Sequence, residues 1–254
     1  MKIYSSDIKE YLEESYLKYN NKNFIENDPV CIPHLFSKKE DIEIAGFLAA
    51  TIAWGNRKSI INNGNKLMQW MDFQPHDFIL NHSKKDLKPF STFVHRTFNG
   101  LDCIFFMQAL QSIYKNNGGL EQAFKGNSDD VKENIIHFRK LFLQTSHLPR
   151  SEKHISNPEQ KSSAKRLCMY LRWMVRKDNF GVDFGIWKSI KPSQLCLPLD
   201  VHTGNVSRTL KLLSRTQNDW QAVNEITQVL RSFDSNDPIK YDFSLFGIGV
   251  NKDL

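Results

Sequence analysis

The segment 39–55, KEDIEIAGFLAATIAWG, decides how the rest of the chain is read. Its apolar residues run nearly all round a helix, and Ala45, Gly46, Ala49, Ala50 and Ala53 are small enough for other helices to pack closely on it. The pattern predicts a central helix ending at Gly55, a residue suited to a helix C-terminus. Outward from it, helical periodicity continues in both directions. DIKEYLEESYLKY (7–19) is an amphipathic opener with Ile8, Tyr11, Leu12, Tyr16 and Leu17 on one side. The same signal recurs in 56–71, 100–115, 128–144, 160–178, the run after Asp200, 219–233 and 237–250. No stretch alternates convincingly with period two, and no internal repeat or low-complexity linker is present. The irregular stretches are 21–38, 74–100 and 179–199, and the prolines of the last hold it extended. The expected architecture is all-α: a single domain over 1–254, two helical lobes built from non-contiguous segments, with the N-terminal helix packing on the C-terminal ones.

The 254 residues are 40% hydrophobic and 24% charged, ordinary for a soluble globular protein, and the net charge is +6. The charge is unevenly placed. Residues 150–215 carry thirteen Lys/Arg against five Asp/Glu, a local +8, so the remainder sums to −2. A basic block on a neutral body suggests an anionic partner, nucleic acid first, although a well-solvated surface gives the same count. Cys31, Cys103, Cys168 and Cys196 form no C-x-x-C pair and read as reduced, mostly buried thiols of a cytoplasmic protein. The N-terminus lacks an apolar signal core, no run reaches membrane-spanning length, and the eight histidines show no H-x-x-x-H spacing. No metal and no cofactor is expected, nor a membrane partner, and the protein is expected to be a monomer.

Two stretches carry candidate chemistry. In KSSAKRLCMYLRWMVR (161–176), Ala164, Leu167, Cys168, Leu171, Met174 and Val175 make a buried stripe, and Lys161, Lys165, Arg172 and Arg176 fall along an adjacent line. The Ser162–Ser163 start offers helix amides to an anion. Repulsion between lysines four apart, with partial burial, favours the neutral amine that a nucleophile needs. The competing reading is an outer face of four solvated cations. In LPLDVHTGNVSRTLKLL (197–213), Asp200 sits where an N-cap belongs. Position N3 is Thr203 rather than Glu or Gln, so no capping box is expected. Val206, Leu210 and Leu213 form the core face, which leaves His202 and Arg208 elsewhere on the helix. Gly204 costs about 1 kcal/mol relative to alanine, tolerable where a ligand approaches or where packing is tight. An N-cap carboxylate is also held ionised by the helix dipole, so capping and catalysis are compatible roles.

Together these residues resemble the helix-hairpin-helix DNA glycosylase superfamily, which includes endonuclease III and 8-oxoguanine DNA glycosylases. LPLDVHTGNVSRTLKL is similar to that group's aspartate segment, with Asp200, His202 and Arg208 in the matching places, and KRLCMYL (165–171) is similar in register to its lysine helix. EIAGFLAATIAWGNRKSI resembles the early buried helix that ends at a DNA-contacting turn, where Trp54, Asn56 and Arg57 stand. The wider pattern also resembles a bacterial family of proteins of unknown function, DUF2400. The L-P-G-x-G hairpin of the glycosylases is absent, residues 154–161 reading HISNPEQK, and there is no iron–sulfur loop.

The resemblance implies a two-lobed glycosylase-like bundle acting on double-stranded DNA with a damaged nucleotide, 8-oxoguanine or another, flipped out of the stack. It implies Lys165 as the nucleophile forming a Schiff base, with Lys161 as its rival one turn earlier, and Asp200 as stabiliser of the cationic sugar. Ser162, Ser163, Arg166, His202, Arg208, Asn56 and Arg57 would contact DNA. Trp54, Trp173, Trp187, Phe184 and Phe246 are the aromatic residues open to base stacking. The alternative is a non-catalytic nucleic-acid-binding helical protein on the same scaffold, whose affinity would be salt-dependent and sequence-independent.

Overall fold

The computed structural model describes residues 6–253. In chain order the helices are α1 (Ser6–Tyr19), α2 (Asn23–Glu26), α3 (Lys39–Thr51), α4 (Arg57–Trp70), α5 (Pro75–Asn81), α6 (Gly100–Asn116), α7 (Leu120–Lys125), α8 (Val131–Phe142), α9 (Lys165–Val175), α10 (Val201–Thr209), α11 (Trp220–Phe233) and α12 (Tyr241–Asn251). The fold is all-α. Its one sheet among the described residues is a minimal hairpin, β1 (Val94–His95) against β2 (Phe98–Asn99). Strands of two residues have no alternation for a sequence to display. Proline-opened 3₁₀ turns such as Pro29–Cys31 and Pro89–Thr92 organise stretches expected to be irregular.

The chain divides into two compact units. Ile25–Asn157 form one, and Met1–Phe24 with Pro158–Leu254 form the other. In the first, α3 is buried at every residue from Ile42 to Thr51. Phe47 packs its ring at 5.5–6.0 Å from those of Phe106, Phe138 and Phe142. The helix stops at Thr51 rather than at Gly55, whose φ of +101° instead serves the turn into α4. Asn56 caps α4 by accepting from the Ser59 amide.

In the second unit, α1 and α10 both pack on α12. Leu12 and Tyr16 of α1 face inward as expected, but Leu17 is 61% exposed and does not belong to that face. Gly247 lets α1 approach: a Cβ there would lie 2.3 Å from the Tyr19 ring. Ser244 Oγ donates to the Leu12 carbonyl at 2.6 Å in the same contact.

Helix α9 corrects the sequence reading most. It begins at Lys165, not before Ser162, so Lys161 lies outside it and the expected four-step ladder of cations does not exist. From Leu167 to Val175 every residue is buried, Arg172 among them. The arginines are neutralised inside the unit rather than solvated on an outer face. Arg172 pairs with Asp183 and Asp242, and Arg176 with Asp178, Asp183 and Asp237. Removing such charges from water is tolerable only when each is matched and hydrogen-bonded.

Candidate active site

The approach to α9 is a tight turn. After the 3₁₀ turn Pro158–Gln160, Lys161 takes φ +66° and Ala164 takes φ +48°, both left-handed. Side-chain-bearing residues adopt that region at a cost of about 1–3 kcal/mol, so the surrounding contacts must hold it. They are on hand. The Lys161 carbonyl accepts from the Trp220 amide, Ser162 pairs with Asp219 as an isolated bridge, and Ser162 Oγ accepts from the Ala164 amide. Ser162 and Ser163 therefore precede the helix instead of opening it. Ala164 stands at the N-cap with no side-chain hydrogen bond to give, which leaves the first amides of α9 without a side-chain cap.

Lys165 is the first residue of this helix and is partly exposed, whereas Lys161 is exposed in the turn. The Lys165 amine lies along α9, donating to Met169 Sδ at 3.4 Å. A thioether is a weak acceptor and anchors an ammonium poorly.

Asp200 caps α10, and a reciprocal capping box forms there despite the threonine at N3. Asp200 Oδ1 accepts from the Thr203 amide at 3.0 Å, and Thr203 Oγ1 accepts from the Asp200 amide at 2.8 Å. The hydroxyl, shorter than a Glu side chain, reaches because Thr203 is fully buried against the turn. Asn218 Nδ2 also donates to the Asp200 carbonyl at 2.8 Å. Gly204 owes its place to that contact: a Cβ would meet Asn218 Oδ1 at 2.7 Å and Arg208 Nη1 at 2.9 Å. Among the described residues, Asp200 Oδ2 accepts no hydrogen bond.

A third group, overlooked in the sequence, joins the lysine to this aspartate. Asp242, in the first turn of α12, is 5% exposed and accepts from Arg172 Nη1 at 2.5 Å through Oδ2. Burial pushes its carboxyl up to about 6, against the pull of Arg172. The negative charge of Asp200 raises it further, and the positive charge of Lys165 lowers it. Lys165 and Asp200 thus both act electrostatically on one buried carboxyl. No salt bridge closes between Lys165 and either aspartate among the described residues. The sequence signal for Asp242 was a lone acid in the mostly apolar run 241–248, since a charge on a buried helix must have a partner.

The remaining expected contacts divide. His202 is exposed beside Asp200 and meets the Phe246 ring edge-on at 6.0 Å. Arg208 is committed inward, donating to the Arg215 carbonyl at 2.8 Å and to Asn218 Oδ1 at 2.6 Å. Arg166 is partly buried, and burial pushes its guanidinium down to about 10. Asn56 and Arg57 are exposed but belong to the other unit. Trp173 and Trp187 are 0% and 1% exposed, so neither can stack on a base, while Phe246 is half-buried. Phe184 is also half-buried. Trp54, in the other unit, stacks on His154 at 6.1 Å. Of the cysteines, Cys103 and Cys168 are buried and Cys31 and Cys196 partly so. Among the described residues no cluster of His, Cys, Asp or Glu could hold a metal ion, and no helix is long and apolar enough to cross a membrane.

The fold is all-α, and one lysine and two aspartates stand at the starts of three helices of one unit. The chain matches the family described as Protein of unknown function (DUF2400) over residues 28–251, and it belongs to that family. No curated protein and no solved structure matches it.

Proposed function

We propose that this protein is a DNA glycosylase with associated abasic-site lyase activity, acting on a damaged base extruded from duplex DNA. The observation that carries the reading is that Lys165 opens α9 with no side-chain cap before it, while Asp200 caps α10 in the same unit with its Oδ2 unengaged. It fits an amine and a carboxylate serving one substrate, with no direct ion pair between them to be broken. Lys165, once neutral, attacks C1′ as the bond to the base breaks; the Schiff base that follows permits strand cleavage by elimination. Asp200, through its unengaged Oδ2, stabilises positive charge on the sugar. The uncapped start of α9 supplies amides suited to a DNA phosphate. His202 and Phe246, beside Asp200, are the side chains suited to the extruded nucleotide, and the exposed Lys161, Lys177, Lys188, Lys191 and Lys211 suit the backbone.

The test is borohydride trapping on duplexes carrying an abasic site or 8-oxoguanine at low salt. A covalent protein–DNA adduct is expected, lost in Lys165→Gln and retained in Lys161→Gln, with Asp200→Asn slowing base excision at least 100-fold. Binding without an adduct on any lesion makes the protein a nucleic-acid-binding module instead.

A further inference from the structure

Charge is segregated within the unit Ile25–Asn157. Its segments 54–71 and 82–101 carry seven Lys/Arg against one Asp/Glu, whereas its other residues carry nine against thirteen. Ring contacts and hydrogen bonds lay the two segments side by side, running in opposite directions. At one end Trp70 of α4 meets the Phe90 and Phe93 rings edge-on at 5.3 and 6.1 Å, and Lys66 Nζ lies 4.7 Å from the centre of the Trp70 ring. At the other end His95 donates from Nε2 to the Trp54 carbonyl at 3.1 Å and accepts at Nδ1 from Asn63 Nδ2 at 2.9 Å. The hairpin then turns at Arg96, whose guanidinium crosses Gly55: a Cβ there would lie 3.1 Å from Arg96 Nη1. Arg96 has φ +54°, a turn conformation that favours glycine or asparagine, yet an arginine stands there.

All seven cations are exposed, and among the described residues Lys58, Lys66, Lys88 and Arg96 enter no salt bridge. The exposed residues of α4 are Arg57, Lys58, Ser59, Asn62, Lys66 and Gln69, each a cation or a neutral hydrogen-bonding group. These are the side-chain types that take sugar–phosphate oxygens. A membrane surface would call for exposed apolar residues among the cations, and α4 has none. Lys58 and Lys66 are eight residues apart, about 12 Å along the helix axis, so a ligand that meets both is extended rather than a single small anion.

We propose that this face of the unit 25–157, from Lys58 and Arg96 to Lys66 and Lys88, binds the phosphate backbone of nucleic acid. The inference shares its partner with the glycosylase reading but does not depend on any chemistry at Lys165. It adds a phosphate-binding surface in the other unit.

The experiment measures binding of the full chain to a labelled, undamaged DNA duplex by fluorescence anisotropy, from about 50 to 200 mM salt. Wild type is compared with the triple variant Lys58→Gln, Lys66→Gln, Arg96→Gln. The control is Lys115→Gln, Lys125→Gln, Lys140→Gln, which removes the same charge from exposed positions of the same unit. At about 100 mM salt the first variant should lose at least tenfold in affinity, and its slope of log Kd against log salt should fall by about three, one for each lost phosphate contact. The control should stay within about twofold of wild type. Equal losses in the two variants, or none in the first, overturn the inference. So does tighter binding to polyglutamate or to phosphatidylserine vesicles than to the duplex, which would assign the face to an acidic protein or a membrane. No covalent step is read. Salt-dependent binding that the first variant alone weakens, in a protein that never traps an abasic site, overturns the glycosylase reading and supports this surface.

Discussion

Asp242 and Gly204 show how much of the site a single residue carries. Asp242 is ordinary near 3.8 in the unfolded chain and stands at about 6 when folded. Between those values the folded state holds more protons than the unfolded one, so this group's contribution to stability falls as pH rises from about 4 to 6. Asp242→Asn abolishes the dependence. The stability of the variant relative to wild type should therefore improve between pH 4 and pH 7, by on the order of 3 kcal/mol, in urea unfolding at the two pH values. An unchanged difference would place the charge cost elsewhere. Gly204 has a steric role. Alanine there gains helix propensity of about 1 kcal/mol but forces Asn218 and Arg208 away from Asp200, an overpacking cost of about 1–3 kcal/mol. A net loss of about 1 kcal/mol and a weakened α10 cap are expected, read by thermal unfolding. The sequence showed a glycine where alanine was cheaper; it could not show that a residue fourteen positions later fills the space.

Whole elements were legible where periodicity and capping agree. The amphipathic α11 and the buried α3 are found by their apolar pattern, and α3 misses only its end, because Gly55 serves the turn after the helix. Helix α9 failed for a definable reason. Lys161, Lys165, Arg172 and Arg176 keep helical spacing in sequence, yet the left-handed Lys161 and Ala164 break the helix, and acids from distant segments bury the arginines. Periodicity cannot tell an outward cation from one matched by aspartates at 183, 237 and 242. Truncating one side of such a network is costly. Arg172→Ala strands the Asp242 carboxylate and leaves Asp183 to Arg176 alone, and a loss of about 3–5 kcal/mol at pH 7 is expected in chemical denaturation. The loss should shrink at pH 5, where Asp242 is largely protonated and needs no cation. A loss equal at both pH values would mean that packing, not charge, dominates.

At the scale of the molecule, the chain's two ends build one unit and its middle builds the other. The helical class was readable from composition and period, but which segments join was not, because α1 and α12 meet through contacts more than two hundred residues apart. Closing so long a loop costs only a logarithmic entropy, and the Tyr19–Gly247 seat and the buried Leu12 repay it. The consequence is an asymmetry between fragments. Residues 25–157 contain a complete apolar core around Phe47, Phe106, Phe138 and Phe142, and expressed alone they should unfold cooperatively as a helical domain. Residues 158–254 lack the helix that covers α12, so Tyr241, Ser244 and Gly247 lose their partners. This fragment should show little cooperative unfolding until a peptide spanning residues 6–24 is added, which should restore helicity and a sharp melt in circular dichroism. Cooperative folding of 158–254 without the peptide would show that α1 is an accessory to this unit, and that the α9–α10–α12 cluster carrying Lys165, Asp200 and Asp242 is stable without it.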